Sequence, residues 1–318
     1  MIQYLLWLVF GLALLVKGAD WFVNGAAALA RKHKVSELTI GLTIIAFGTS
    51  APELVVNAFA AADHYPGIVF GNILGSNNFN LFIILGIAGL FSPIVVQSST
   101  VWKEIPFSLF AVFLLFLLVN DALLFSQGEN LLTRPDSLLL LACFAGFLVY
   151  VYKQLKKEQA HNGTEIIEEI KAWKVIALIL VGLTSLIFGG KLVVDNAIEI
   201  ARKFELGEEL IGLTIVAAGT SLPELATTLV ATFKKKTDLA VGNVIGSNIF
   251  NIFFILPLSA LIQPLAFDLP LNHSLYLLAG GTLFLFVAMF TGGKRKLDRW
   301  EAALLLLVYG IYAVYLFG

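Results

Sequence analysis

Two carboxylates, Glu53 and Glu224, stand inside otherwise apolar stretches of this chain, and each closes the same motif. Gly-Thr-Ser-x-Pro-Glu occurs in GLTIIAFGTSAPEL (Gly41–Leu54) and again in GLTIVAAGTSLPEL (Gly212–Leu225). An ionised carboxylate within a bilayer costs several kcal/mol by insertion scales, about 2.5–3.5 at a helix centre, so it must be paired, protonated or facing water. No basic residue lies at similar depth, because Lys17 and Lys191 fall in other segments and at non-equivalent positions of the two copies. A cation from solution is the natural partner. Thr49 and Ser50 precede Glu53 by four and three residues, which sets hydroxyls and carboxylate on one helical face. Pro52 has no N–H for the carbonyl of Gly48 and its ring crowds that turn, so a helix break is expected. The break would leave carbonyls from about Ala46 to Thr49 available as ligands. Gly219, Thr220, Ser221, Pro223 and Glu224 repeat the arrangement.

A second pair of motifs, GNILGSNNFN (Gly71–Asn80) and GNVIGSNIFN (Gly242–Asn251), sets Ser76 four residues before Asn80 and Ser247 four before Asn251. Carboxylate, hydroxyl, amide and backbone oxygens are the hard ligands that sodium-like and calcium-like ions prefer, whereas soft metals want sulfur or imidazole. The single Cys143 excludes an internal disulfide and a thiolate cluster, and reads as a small core residue. His33, His64, His161 and His273 have no ligand spacing, so no zinc or EF-hand site is expected, and no cofactor. This chemistry is that of ion transport and not of an enzyme. The bland alternative is polar glue, with Ser, Thr and Asn bonding across helices and each Glu protonated. For one isolated Ser or Asn that alternative is the better one; for two carboxylates, each beside a Gly/Pro break and each duplicated, transport is the stronger reading.

The elements that must position these residues follow from composition. Of 318 residues, 58% are hydrophobic and only 14% charged, too apolar for a soluble protein. Ten spans are expected, near 2–29, 37–61, 67–92, 104–119, 137–153, 174–201, 209–233, 239–263, 273–290 and 300–317, each long enough to cross about 30 Å of hydrocarbon. The first resembles a signal peptide, but no basic stretch precedes it, and its continuation aligns with the second half: Gly18, Ala26, Ala30, Arg31 and Lys32 match Gly189, Ala197, Ala201, Arg202 and Lys203. With the N-terminus outside, 16 of the 21 Lys and Arg residues fall in inside loops, which places both termini outside.

All the matched positions are 171 residues apart. Five spans per copy is an odd number, so the copies cross in opposite directions. The expected fold is therefore an all-α polytopic membrane protein, ten transmembrane helices as two inverted five-helix repeats. The repeats are expected at 1–153 and 174–318, with a cytoplasmic linker at 154–173 whose Glu165–Lys171 portion is helix-compatible and whose Asn162-Gly163-Thr164 is read as a turn. Such transporters bind their ions near the midplane, at the repeat interface, so one oxygen-lined site is expected there. Gly71 with Gly75, and Gly242 with Gly246, have the spacing that lets helices approach closely. Lys17, Asp20, Asn24, Lys191 and Asp195 read as interfacial or helix-pairing groups.

At these motifs the chain resembles the sodium/calcium exchanger branch of the calcium/cation antiporter superfamily, in its prokaryotic-type form with two alpha repeats. The resemblance covers nearly the whole chain. It implies that Glu53 and Glu224 are the main acidic ligands of calcium and sodium. Thr49, Ser50, Thr220, Ser221, Ser76 and Ser247, with the carbonyls of Ala46 and Ala217, complete the implied set. Members resembling potassium-dependent exchangers, and some prokaryotic ones, carry Asp where this chain has Asn251. Here Asn80 and Asn251 are both amides, which argues against potassium co-transport. The large regulatory loop of animal exchangers has no counterpart in this sequence. The implied partners are calcium and sodium ions and the lipid bilayer of the cell membrane, with no nucleic acid and no evident protein partner. Two ionised glutamates carry −2, which one calcium neutralises and three sodium ions overshoot. Sodium and calcium are therefore expected to compete, with the first and sixth spans sliding as a gate. A proton/calcium exchanger is the main rival, since like charges at close quarters raise one pKa. A gated cation channel is the rival of another class.

Overall fold

Backbone donors and acceptors in hydrocarbon find partners only within a helix or a closed barrel, and long apolar runs without strand alternation choose the helix. The computed structural model describes residues 2–121, 130–161, 171–203, 217–292 and 295–317, and these are almost wholly helical. In chain order the helices are α1 (Ile2–His33), α2 (Glu37–Thr49), α3 (Ala51–Ala62), α4 (Pro66–Phe91), α5 (Thr100–Val119), α6 (Arg134–His161), α7 (Ala172–Lys203), α8 (Ala217–Thr220), α9 (Leu222–Phe233), α10 (Thr237–Ile262), α11 (Leu269–Ala288) and α12 (Arg299–Phe317). Two antiparallel pairs of two-residue strands tie loops together, Ile94–Val95 with Lys296–Leu297 and Leu131–Leu132 with Leu265–Ala266.

Among the described residues, eight helices are long and apolar enough to cross a membrane, and nine if α2 and α3, bent by 46° at their junction, form one broken span. The seventh expected span, 209–233, is described only from Ala217 onward, as α8 and the short apolar α9. Helix ends depart from expectation where hydropathy has no say. α6 runs on to His161, into the stretch expected to be linker, because Lys and Gln sustain a helix once it leaves the bilayer. Asn162-Gly163-Thr164 and most of Glu165–Lys171 lie outside the described residues.

The chain forms two compact units, and each draws on both halves of the sequence. The first comprises Met1–Pro52 and Gln154–Asn243. Its axis is the antiparallel pair α1 and α7: Gly11 lies against Gly189, Gly18 against Gly182 and Ser185, and Gly25 against Leu178 and Ile179. A methyl group on Gly182 would come within 2.5 Å of the Phe22 nitrogen, so only glycine permits that approach. Leu15, Phe22, Val23, Ile45 and Leu186 fill the core beside them. At one end the Lys234 ammonium, following α9, bridges Asp20 at 2.6 Å and the Asn24 side-chain oxygen at 2.7 Å on α1. Lys236 pairs with Glu37. The Glu158 carboxylate accepts from Ser36 N at 2.8 Å and from Ser36 Oγ at 2.9 Å, and so clamps the start of α2 to α6.

The second unit comprises Glu53–Lys153 and Val244–Gly318. Phe107, Phe110, Phe144, Phe147, Phe250, Phe253 and Phe254 interlock between α5, α6 and α10, with ring centroids 4.9 to 6.4 Å apart. Asn120 and Asn272 exchange amide bonds at 3.0 and 2.7 Å. Tyr150 donates to the buried Glu104.

The paired-glycine expectation is corrected. A methyl group on Gly71 or Gly75 would meet no other described residue within 4 Å. Gly242, by contrast, lies where a methyl group would sit 2.9 Å from the Leu38 carbonyl and 3.0 Å from the Gly41 Cα. Of these glycines, Gly242 is the one shown against the backbone of another helix.

Candidate cation-binding site

Helix breaks set the directions of the side chains around both glutamates. α2 ends and α3 begins at Ser50, with φ −83° and ψ 7°, and α8 gives way to α9 at Ser221, with φ −88° and ψ 5°. The two serines stand 171 residues apart in matched motifs and adopt the same backbone conformation, as the proline two positions later predicts.

In the first unit the buried carboxylate is Glu224 in the first turn of α9, fully excluded from solvent. Ser50 Oγ donates to its Oε1 at 3.1 Å, so the serine of one motif meets the glutamate of the other. Asn243 braces this contact. Its Oδ1 lies 3.0 Å from Thr49 Oγ1, and its Nδ2 donates to Thr228 Oγ1 at 3.0 Å and to the Glu224 backbone oxygen at 3.4 Å. Thr49 Oγ1 also lies 3.1 Å from the Ile45 carbonyl and 3.4 Å from the Ala46 carbonyl, and its one proton serves one of these three acceptors at a time. The Ala46 carbonyl also accepts the Ser50 N–H at 3.0 Å. Ser221 is buried, Thr220 is half-buried, and Ala217 opens α8. Thr227 Oγ1, next to Thr228, is buried without a hydrogen-bond partner among the described residues.

In the second unit the carboxylate is Glu53 in the first turn of α3, again fully excluded from solvent. Ser76 Oγ donates to its Oε1 at 3.4 Å, and Asn57 Nδ2 donates to its backbone oxygen at 2.7 Å. Asn251 Nδ2 reaches Ser76 Oγ at 3.3 Å and Asn77 Oδ1 at 2.8 Å, while Asn80 Nδ2 reaches Asn248 Oδ1 at 3.1 Å. Asn80 lies in the π-helical stretch Phe79–Ile84 of α4, and Asn251 opens the π-helical stretch Asn251–Ile255 of α10. Wider turns of this kind re-aim side chains and are frequent at functional sites. Ser247 is buried. The side-chain oxygens of Asn57, Asn80 and Asn251 are buried with no hydrogen-bond partner among the described residues.

The surroundings of both carboxylates are oxygen-rich, and the described residues hold no group of three or more His, Cys, Asp and Glu that could fix a metal permanently. Buried acceptors that bond nothing cost about 1–3 kcal/mol each, and a hard cation satisfies them. Sequence reasoning missed Asn57, Asn77, Thr228, Asn243 and Asn248. A signal was present for all five: Asn77 and Asn248 are matched across the duplication, as are Asn72 and Asn243, and Asn57 and Thr228 hold the matched positions four residues after each glutamate.

Comparison with known proteins fits this geometry. The model of the family described as sodium/calcium exchanger protein matches residues 3–153 and 174–318. The chain is 37% identical over 318 residues to the putative antiporter CaxA of Alkalimonas amylolytica, covering 97% of each. It is 33% identical to the sodium/calcium exchanger MaX1 of Methanosarcina acetivorans, covering 98% of this chain and 97% of that one. Its structure is similar to that of the sodium-calcium exchanger NCX_Mj soaked with 2.5 mM Na+ and 10 mM Sr2+, with a TM-score of 0.82, 33% identity and 98% of each chain covered. The chain thus belongs to the sodium/calcium exchanger family, and it is a multi-pass membrane antiporter of calcium and another cation, not an enzyme.

Proposed function

We propose that this chain exchanges sodium for calcium by alternating access, without potassium. The observation that carries the reading is the company of two fully buried carboxylates, Glu53 and Glu224: Ser76 donates to Glu53 and Ser50 to Glu224, among amide and hydroxyl oxygens. The ligands on this reading are Glu53, Glu224, Thr49, Thr220, Ser50, Ser221, Ser76, Ser247, Asn80 and Asn251, with the carbonyls of Ala46 and Ala217. Two carboxylates suit one calcium ion. Neutral oxygens suit sodium, which makes the two ions competitors. Asn251 supports potassium independence, since an amide adds no third charge to hold a further cation.

The proposed architecture is ten spans in two inverted five-helix repeats, 1–153 and 174–318, joined by a cytoplasmic linker at 154–173, with both termini outside the cell membrane. The antiparallel run of α1 beside α7, whose residues match at 171-residue spacing, supports the inversion.

Flux into proteoliposomes tests the coupling. Calcium uptake driven by an outward sodium gradient, with protons equilibrated and potassium absent, is the expected result. Uptake driven only by a pH gradient would instead identify a proton/calcium exchanger, and a requirement for potassium would remove potassium independence. Calcium flux without any counter-ion would favour a channel.

A further inference from the structure

Asn77 on α4 and Asn248 on α10 are buried and exchange two bonds. Asn77 Nδ2 donates to the Asn248 backbone oxygen at 3.3 Å, and Asn248 Nδ2 donates to the Asn77 backbone oxygen at 3.3 Å. A carbonyl can only accept, so each of these amides has a single permitted orientation; turned over, it would set oxygen against oxygen. That choice propagates. Asn77 Oδ1 must be faced by a donor, which is Asn251 Nδ2 at 2.8 Å, and Asn248 Oδ1 must be faced by Asn80 Nδ2 at 3.1 Å. Two backbone carbonyls thereby fix the orientation of four side-chain amides. The oxygens of Asn80 and Asn251 are left as buried acceptors without a hydrogen-bond partner among the described residues.

We propose that Asn77 and Asn248 are positioning residues for cation binding, holding the amides of Asn251 and Asn80 so that each offers its oxygen, never its nitrogen, as an ion ligand. The proposal rests on reading Asn80 and Asn251 as ligands. An amide presented nitrogen-first turns its positive end to a cation and removes a ligand. At Asn251 the orientation reaches further, because its Nδ2 also donates to Ser76 Oγ at 3.3 Å, and Ser76 donates to Glu53 Oε1 at 3.4 Å. Ser76 has one proton. While Asn251 supplies an N–H, that proton goes to Glu53; a turned amide would offer an oxygen and compete for it.

The test uses purified full-length chain, with equilibrium calcium binding by calorimetry and exchange in proteoliposomes. Loss of an outer-shell partner typically costs about 10- to 100-fold in metal affinity. Asn77→Ala and Asn248→Ala should each raise the half-saturating calcium and sodium concentrations by about 10-fold, with the maximal rate largely kept. Asn120→Ala, which breaks the other reciprocal amide pair of the same unit, should lower the thermal midpoint and leave half-saturation unmoved. If an alanine variant does not fold, Asn77→Ser and Asn248→Ser keep a hydroxyl for the facing carbonyl but lose the Oδ1, and the same rise is expected. Wild-type half-saturation in folded variants would overturn the proposal while leaving the exchange reading intact. Absence of sodium/calcium exchange in the wild-type chain would instead remove the reading on which it stands.

Discussion

Ser50 Oγ lies 3.1 Å from Glu224 Oε1, so the first Gly-Thr-Ser-x-Pro-Glu motif donates a hydrogen bond to the carboxylate of the second. A hydrogen bond to a charged group contributes about 1.5–3 kcal/mol, which corresponds to about 10- to 100-fold in affinity if it is felt in the ion-bound state. Ser50→Ala should therefore weaken calcium half-saturation by about 10-fold while the protein still elutes as a folded species. Unchanged half-saturation for both ions would show the hydroxyl to be a packing group only.

Glu53→Gln and Glu224→Gln keep the shape of each side chain and remove its charge. On the proposed reading, in which both carboxylates serve one divalent ion, either change should abolish detectable calcium exchange in proteoliposomes at concentrations that saturate the wild-type chain. Sodium should lose less, since a monovalent ion depends less on a second negative charge. Exchange close to wild type in either folded variant would withdraw both residues from the ligand set.

Much of this was legible in the residues themselves. Glu53 and Glu224 stand out in the sequence because an ionisable group in an apolar run has few structural uses, and the breaks at Ser50 and Ser221 follow from the prolines beyond them. Asn77, Asn248 and Asn243 were not singled out, although they recur with the duplicated blocks, because one buried asparagine looks like any other until its partners are known. The π-helical turns at Phe79–Ile84 and Asn251–Ile255 leave no mark in periodicity, since they change the backbone register by one residue without changing composition. The end of α6 at His161 escaped for the opposite reason: hydropathy reports where hydrocarbon stops and not where the helix does.

The corrected glycine reading gives opposite expectations for two similar-looking substitutions. A methyl group at Gly242 would press on the Leu38 carbonyl at 2.9 Å and on the Gly41 Cα at 3.0 Å, backbone atoms that cannot turn aside. Gly242→Ala should therefore lower the thermal midpoint, with an overpacking cost of about 1–3 kcal/mol. Gly71→Ala meets no other described residue within 4 Å and gains helix propensity of up to about 1 kcal/mol. Its midpoint should hold or rise. Equal losses in the two variants would mean that the spacing, and not the contact, decides.

The ion pair between Lys234 and Asp20, at 2.6 Å with Asn24 alongside, joins α1 to the end of α9 through groups that are each about one-third exposed. Pairs in that setting contribute about 0–1 kcal/mol to stability, so Lys234→Gln should barely move the thermal midpoint. Its effect belongs to kinetics if α1 slides during exchange, because a pair made in only one arrangement favours that arrangement over the other. The change should alter the maximal exchange rate and leave half-saturation for calcium nearly fixed, since neither partner touches Glu53 or Glu224 directly. Equivalent positions across the duplication carry Lys191 for Asp20 and Asp63 for Lys234, the same two charges exchanged. Asp20→Lys combined with Lys234→Asp should then recover the rate lost in either single reversal. A rate that is wild-type in Lys234→Gln, or that the double reversal fails to recover, would reduce this pair to a surface contact without influence on transport.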